Sequence, residues 1–215
     1  HLVLSCNFCN LAFQNNNQGI AAILTEEGYG PDGSNNYGKY VTKNGRKTDV
    51  QFKDTIMRIK NQKYPFQLIN NPTPDLVIRA CSAIKSINRR TNNLILVAPP
   101  FAPTVWSNIS NNSELSYFGE VYHELEQCLG LKIDNYMDNN ISDDCEFLDG
   151  FHGGDTTYAR IILDISLNKK INYPFADVKF LQSFIQNESG FASGITRHQS
   201  KKFSEVDFLE LGCSK

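Results

Sequence analysis

Four consecutive apolar residues, Leu94-Ile95-Leu96-Val97, stand between Asn92-Asn93 on one side and Pro99-Pro100 on the other. A run this short, bounded by turn residues, reads as a strand buried on both faces, and the prolines forbid its continuation. Such a strand needs helices on both faces of its sheet, so the flanking segments decide the fold class. Both have helical spacing. Upstream, Thr73 can cap a helix, Pro74 suits its first position and Asp75 complements its dipole, after which Val77, Ala80, Cys81 and Ile84 share one face. Arg89 and Arg90 close it with the charge that a C-terminal end prefers. Downstream, Ser113 can cap a helix carrying Leu115, Phe118, Tyr122, Leu125 and Leu129, and Gly130 stops it.

The alternation extends in both directions. Leu2-Val3-Leu4 reads as an opening strand, and Phe52, Ile56 and Ile59 mark a helix that ends near Lys63. After Gly130 come a strand at Leu131-Lys132-Ile133 and a helix capped by Asp155, whose buried stripe is expected to be Tyr158, Ile161, Ile162 and Ile165. A last helix over about Ala176 to Ile185 and a short strand from Val206 to Leu211 complete the chain. This order predicts one α/β domain over 1–215, three layers α/β/α with a mostly parallel sheet. A loop-rich excursion rich in Asn, Gly and Tyr interrupts it at about 10–48. The chain opens on His1 and at once on a core strand, so the sheet is expected to be incomplete at its N-terminus.

With 215 residues, 40% of them hydrophobic, the chain can bury a substantial core. A formal net charge of −2 leaves no basic surplus to neutralise a phosphate backbone, so nucleic acid is not an expected partner. The longest apolar runs fall far short of the roughly 20 residues of a membrane helix. Six cysteines are present, of which Cys6 and Cys9 form the one close pair. A zinc site would need two further ligands that no second CxxC or HxxxH supplies, so neither metal nor cofactor is expected. The thiols read as buried or free, with their pairing open.

In layered α/β domains the reactive groups collect at the carboxyl ends of strands. That selects Ser5 to Asn10, Pro99 to Thr104, and the loop after Ile133. The last holds Asp149-Gly150-Phe151-His152-Gly153-Gly154-Asp155. A His three residues after an Asp can have one ring nitrogen held by the carboxylate while the other stays free to take a proton, which makes it a general base near neutral pH. Spacing alone also fits a turn Asp and a polar residue at the start of a helix.

Several segments occur together: Tyr29-Gly30-Pro31-Asp32-Gly33-Ser34, Ala98-Pro99-Pro100-Phe101-Ala102-Pro103-Thr104, Phe147-Leu148-Asp149-Gly150-Phe151-His152-Gly153, and Val206-Asp207-Phe208-Leu209-Glu210-Leu211-Gly212-Cys213. In this combination, over almost its whole length, the chain resembles a bacterial branch of the SGNH/GDSL hydrolase superfamily. The resemblance implies a Ser-His-Asp site in which Asp149 orients the ring and His152 is the base. It implies an acyl-ester hydrolase or O-acyltransferase for a cell-envelope or polysaccharide substrate, working outside the cytoplasm. Asn7, near the family's G-x-N-D block, would donate to an oxyanion, although Ser5 and Phe8 replace that block's Gly and Asp. Pro100 and Phe101 would form a rigid wall for an acyl or sugar group; as plain structure they read as a strand terminator and a core aromatic.

The family's nucleophile sits in a G-D-S or G-S-S turn after the first strand, and neither turn occurs here. Everything from the Asn block onward is matched, so the Ser is expected upstream of His1 and this chain by itself should not catalyse acyl transfer. Ser34 lies in the loop-rich excursion, and Ser5 and Cys6 have no adjacent base. His123 reads as a partly exposed helix residue, and His198, among Arg197, Lys201 and Lys202, as part of a solvated face. A competing reading is a non-catalytic SGNH-like module that binds glycans. A weaker one is a metal- or thiol-dependent enzyme using Cys6, Cys9 and His152.

Overall fold

The computed structural model describes residues 28–29, 35–36, 49–67, 74–90, 94–138, 141–168, 176–192, 207 and 209–213. It is a mixed α/β fold in which helices predominate. Strands β1 (Gly28–Tyr29) and β2 (Asn35–Asn36) pair antiparallel. A 3-10 turn over Val50–Phe52 leads into α1 (Lys53–Lys60), and α2 (Pro74–Asn88) follows with Pro74 at its first position. Strand β3 (Leu96–Ala98) gives way to α3 (Pro103–Ser110), a 3-10 turn at Ser113–Leu115, α4 (Tyr117–Leu129) and strand β4 (Ile133–Asn135). A 3-10 turn at Asp144–Glu146 precedes α5 (Asp155–Asn168), and α6 (Val178–Glu188) comes last.

Strands β3 and β4 pair in parallel, Leu96 opposite Ile133 and Ala98 opposite Asn135. The pairing continues one step past the strands, where the Tyr136 N–H donates to the Ala98 carbonyl at 3.0 Å. A parallel pair needs a long crossover, and α3 with α4 provides it. Gly130 ends α4 at φ +66, a left-handed conformation that glycine adopts without a Cβ penalty. Helix α2 packs on α4, α1 on α3, and α5 on α6. The main core gathers Phe52, Ile59, Phe66, Val105, Ile109 and Phe147, and a smaller cluster of Ala98, Ile133 and Met137 lies at the sheet. Phe101 and Trp106, stacked at 5.9 Å, pack against both clusters and join them.

Several expectations need correction. Helix α3 was not anticipated: Pro103 ends the strand but also opens a helix, with Val105 and Ile109 one turn apart on its buried side. On α5, Tyr158 and Ile162 are exposed, and the buried stripe runs Thr157, Ile161, Ile165. Threonines take the inward positions because backbone carbonyls satisfy their hydroxyls: Thr157 donates to Glu146 at 3.0 Å and Thr156 to Phe191 at 2.8 Å. Of the strand expected at Val206 to Leu211, Val206 and Phe208 lie outside the described residues; Asp207 and Leu209 to Leu211 are not in a strand, and the Asp207 carboxylate gathers the N–H groups of Leu211, Gly212 and Cys213. Four of the thiols are neither free nor merely buried: Cys81 bonds to Cys128 and Cys145 to Cys213. The strand at 2–4 and the cap Thr73 lie outside the described residues. No helix among the described residues is long and apolar enough to cross a membrane.

Candidate functional site

Between the 3-10 turn and α5, the chain makes a tight loop closed at its base by two layers of backbone bonding. Phe147 and Gly153 form an antiparallel bridge, and the Leu148 N–H donates to the His152 carbonyl at 2.8 Å. One step outward, the Gly154 N–H donates to the Glu146 carbonyl at 2.8 Å. Phe147 and Leu148 bury their side chains almost completely and anchor the incoming limb. The outgoing limb must lie flush: a Cβ on Gly153 would meet the Thr157 side chain at 2.7 Å, and one on Gly154 would meet the Ala192 carbonyl oxygen at 1.9 Å. Glycine is required at 154 because the obstacle is backbone, which cannot step aside.

At the tip, the Asp149 carboxylate organises its own loop. Its Oδ1 accepts the N–H groups of Phe151 at 2.9 Å and of His152 at 2.8 Å, while Oδ2 lies 2.8 Å from His152 Nδ1. A carboxylate can only accept, so Nδ1 carries a proton and donates it. The other nitrogen, Nε2, is then the acceptor of the neutral ring. Asp149 is nearly buried, with its side chain 13% exposed, whereas the His152 side chain is 49% exposed. The hydrogen bond to Asp149 raises the His152 pKa above the ordinary imidazole value, burial opposes that rise, and the negative charge of Asp149 adds to it. The Phe151 ring, partly buried on the main core, lies 4.5 Å from the imidazole, centroid to centroid. Tyr158, one turn into α5, is exposed on one side, and partial desolvation where it packs, followed by the charge of Asp149, raises its phenol pKa.

Three ties fasten this loop to the rest of the fold, and none was read from the sequence. The Ala102 N–H donates to the Gly150 carbonyl at 3.1 Å, so the loop after β3 touches the dyad loop. Beside it, Thr104 donates its N–H and hydroxyl to the two oxygens of Asp144, at 3.0 and 2.5 Å. The second tie is Glu146, fully buried and held by Arg160 through Nε at 2.8 Å and Nη2 at 2.7 Å. The third is Asp49, whose carboxylate accepts the Gly150 N–H at 3.0 Å. Asp49 precedes an apolar helical stripe, the position of an N-cap, and that was the one signal available for it.

The site residues expected from sequence thus fall in different places. Asp149 and His152 come together. Pro100 is buried, and Phe101 packs edge-on against Phe118 at 5.7 Å as well as on Trp106, in the loop that Ala102 ties to Gly150. Asn7 lies outside the described residues, as do Ser5, Ser34, Cys6, Cys9 and His198. His123 is an exposed residue of α4 whose Nε2 lies 2.8 Å from Gln127 Nε2. Among the described residues, no group of three or more His, Cys, Asp and Glu is arranged to hold a metal ion. No protein-family model, curated protein or solved structure matches the chain.

Proposed function

We propose that this chain carries the base and its orienting acid for an SGNH-type acyl-ester hydrolase or O-acyltransferase that acts on a cell-envelope or polysaccharide substrate. The observation that carries the reading is the 2.8 Å bond between Asp149 and His152 Nδ1, on a ring whose side chain is half exposed. The bond fixes the tautomer and leaves Nε2 as the proton acceptor. The proposed setting is a three-layer α/β/α domain, to which the parallel β3–β4 pair and its helical crossover contribute. The nucleophile of this mechanism is a Ser that the resemblance implies and that the motifs of this chain do not supply.

In the first half-reaction His152 Nε2 takes the proton of the Ser hydroxyl as its oxygen attacks the ester carbon. Asp149 stabilises the imidazolium that forms. Backbone N–H groups, with the Asn7 amide, hold the oxyanion. His152 then gives its proton to the departing alcohol and leaves an acyl-Ser. In the second half-reaction a water or sugar hydroxyl gives its proton to His152 and attacks the acyl group, and the Ser leaves with that proton. Pro100 and Phe101 would stiffen the wall beside the leaving group. The Cys81–Cys128 and Cys145–Cys213 bonds suit an oxidising compartment and support an extracytoplasmic site of action.

The test joins the chain to its upstream coding sequence and follows hydrolysis of p-nitrophenyl acetate. H152A is expected to lower kcat by about a thousandfold or more, and D149N by a comparable factor, because the ring loses its imposed tautomer. A wild-type rate in H152A overturns the assignment.

A further inference from the structure

We infer that Asp49 is the positioning residue of the dyad, acting through the Gly150 peptide; this rests on reading Asp149 and His152 as orienter and base. Asp49 is 4% exposed. Its Oδ1 accepts the Thr55 N–H at 3.0 Å, and its Oδ2 accepts the Thr55 hydroxyl at 2.5 Å and the Gly150 N–H at 3.0 Å. If the role were only to cap α1, a neutral Ser or Asn would serve without the desolvation of a carboxylate. What the carboxylate adds is a second oxygen on which Thr55 and Gly150 converge. Gly150, 101 positions away, is its one partner distant in sequence among the described residues.

Both peptide groups that flank the Gly150 Cα are held, the N–H of the Asp149–Gly150 link by Asp49 and the carbonyl of the Gly150–Phe151 link by the Ala102 N–H. A Cβ there would lie 2.7 to 2.9 Å from Thr55 side-chain atoms, so the backbone rests directly on α1. The segment that presents Asp49 is strained. Gln51 and Phe52 are both left-handed, at φ +54 and +55, a conformation that is costly for non-glycine residues. The Gln51 N–H donates to Leu209 at 2.7 Å, the Phe52 N–H donates to the Asp49 carbonyl at 2.9 Å, and the Phe52 ring is fully buried. By contrast, the bonds inside the dyad are local, from Asp149 to residues two and three positions on. They give the loop tip its shape, but they all start from Asp149, whose peptide link to Gly150 is the one that Asp49 holds; the anchor thus fixes both the reach of the Asp149 carboxylate to Nδ1 and where the tip points relative to the sheet. A displacement of about 1 Å of a catalytic group lowers a rate by about a hundredfold.

Two readouts test this on D49N, which keeps one acceptor oxygen but sets an amide donor against an N–H. The ring nitrogen shifts of His152, measured by NMR on the 215-residue chain, are expected to move from the pure Nδ1–H tautomer toward a mixture. Loss of a nearby charge alone would shift the titration but not the tautomer. In the chain joined to its upstream sequence, kcat on p-nitrophenyl acetate is expected to fall ten- to a hundredfold with KM within twofold. I165A, a cavity variant in α5 away from Asp49, serves as the stability-matched comparison and is expected to keep the wild-type tautomer. If D49N does not fold, T55V, which removes one donor to Oδ2, is expected to shift the tautomer in the same direction by less. A wild-type tautomer in folded D49N, or in T55V where D49N fails to fold, overturns the inference. Absence of activity in the wild-type protein overturns the functional reading instead, and the NMR arm still decides the role of Asp49.

Discussion

At the scale of single residues, the chemistry turns on how differently the two members of the dyad meet solvent. Asp149 is almost enclosed and accepts three donors from its own loop, so it works as a fixed negative end. His152 is half exposed and titrates against that fixed charge. Its pKa is raised in the folded state, foremost by the bond to Asp149. The protonated pair therefore stabilises the fold fully below the unfolded imidazole value of about 6.5, and that contribution is lost as pH rises through the higher folded value. Solvent screening of a half-exposed ring keeps the effect below about 1 kcal/mol. Thermal melts of wild type and H152Q are expected to differ more near about pH 5.5 than near about pH 8.5, with wild type the more stable at the lower pH. Equal differences at both ends would remove the pair from the stability of the fold. In the proposed reaction the sign reverses, because only the neutral ring accepts a proton, so hydrolysis of p-nitrophenyl acetate is expected to climb as pH passes the raised His152 pKa.

Among the elements, the start of α5 does the most to hold the site loop. Its first turn is bonded inward through Thr156 and Thr157, and its second presents Arg160 to the buried Glu146. Glu146 also accepts the Gly190 N–H at 3.1 Å, so the same carboxylate binds the chain just after α6. Such a pair gains little over an apolar replacement, but removing one partner strands a buried charge. R160A is expected to lose about 3 kcal/mol in urea unfolding, and substituting both positions with Met and Leu to recover most of it. A loss below about 0.5 kcal/mol in R160A would show that Glu146 is held mainly by its backbone partner. The misread stripe on α5 belongs to this scale too: counting apolar letters selects Tyr158 and Ile162, whereas the buried positions include threonines whose hydroxyls find backbone carbonyls.

For the molecule as a whole, the two disulfides tie together parts that sequence order keeps apart. Cys81–Cys128 links α2 to α4 and closes 47 residues; Cys145–Cys213 links the turn before the site loop to the C-terminal turns and closes 68. Chain-entropy reasoning gives each about 4 kcal/mol at most, with 2–4 the usual range. The double variant C81A/C128A is expected to lose that much in global unfolding. C145A/C213A is expected to lose a similar amount and also to weaken hydrogen-exchange protection at Gln51, whose N–H is bonded to Leu209. Unchanged protection there would mean that the buried Leu209 side chain holds the C-terminal turns without the covalent tie.

Local rules were enough to find α2, α4 and the parallel strands, because Pro74, Gly130 and the apolar runs carry signals within a few residues, but not their bounds. The strand read at Leu131-Lys132-Ile133 lies at Ile133–Asn135, the one read at Leu94-Ile95-Leu96-Val97 lies at Leu96–Ala98 and is only partly buried, and Ser113 opens a 3-10 turn ahead of α4 instead of capping it. The spacing of Asp149 and His152 was legible for the same reason: their bond spans three positions, so one loop is sufficient to make it. What the tertiary structure alone decided is everything that depends on distant segments meeting. The pairing of the cysteines, the inward Thr156 of α5, and the convergence of Asp49, Ala102 and Glu146 around the loop are contacts between residues tens of positions apart. No periodicity encodes such contacts, since a buried carboxylate and an exposed one are the same letter until packing takes the water away.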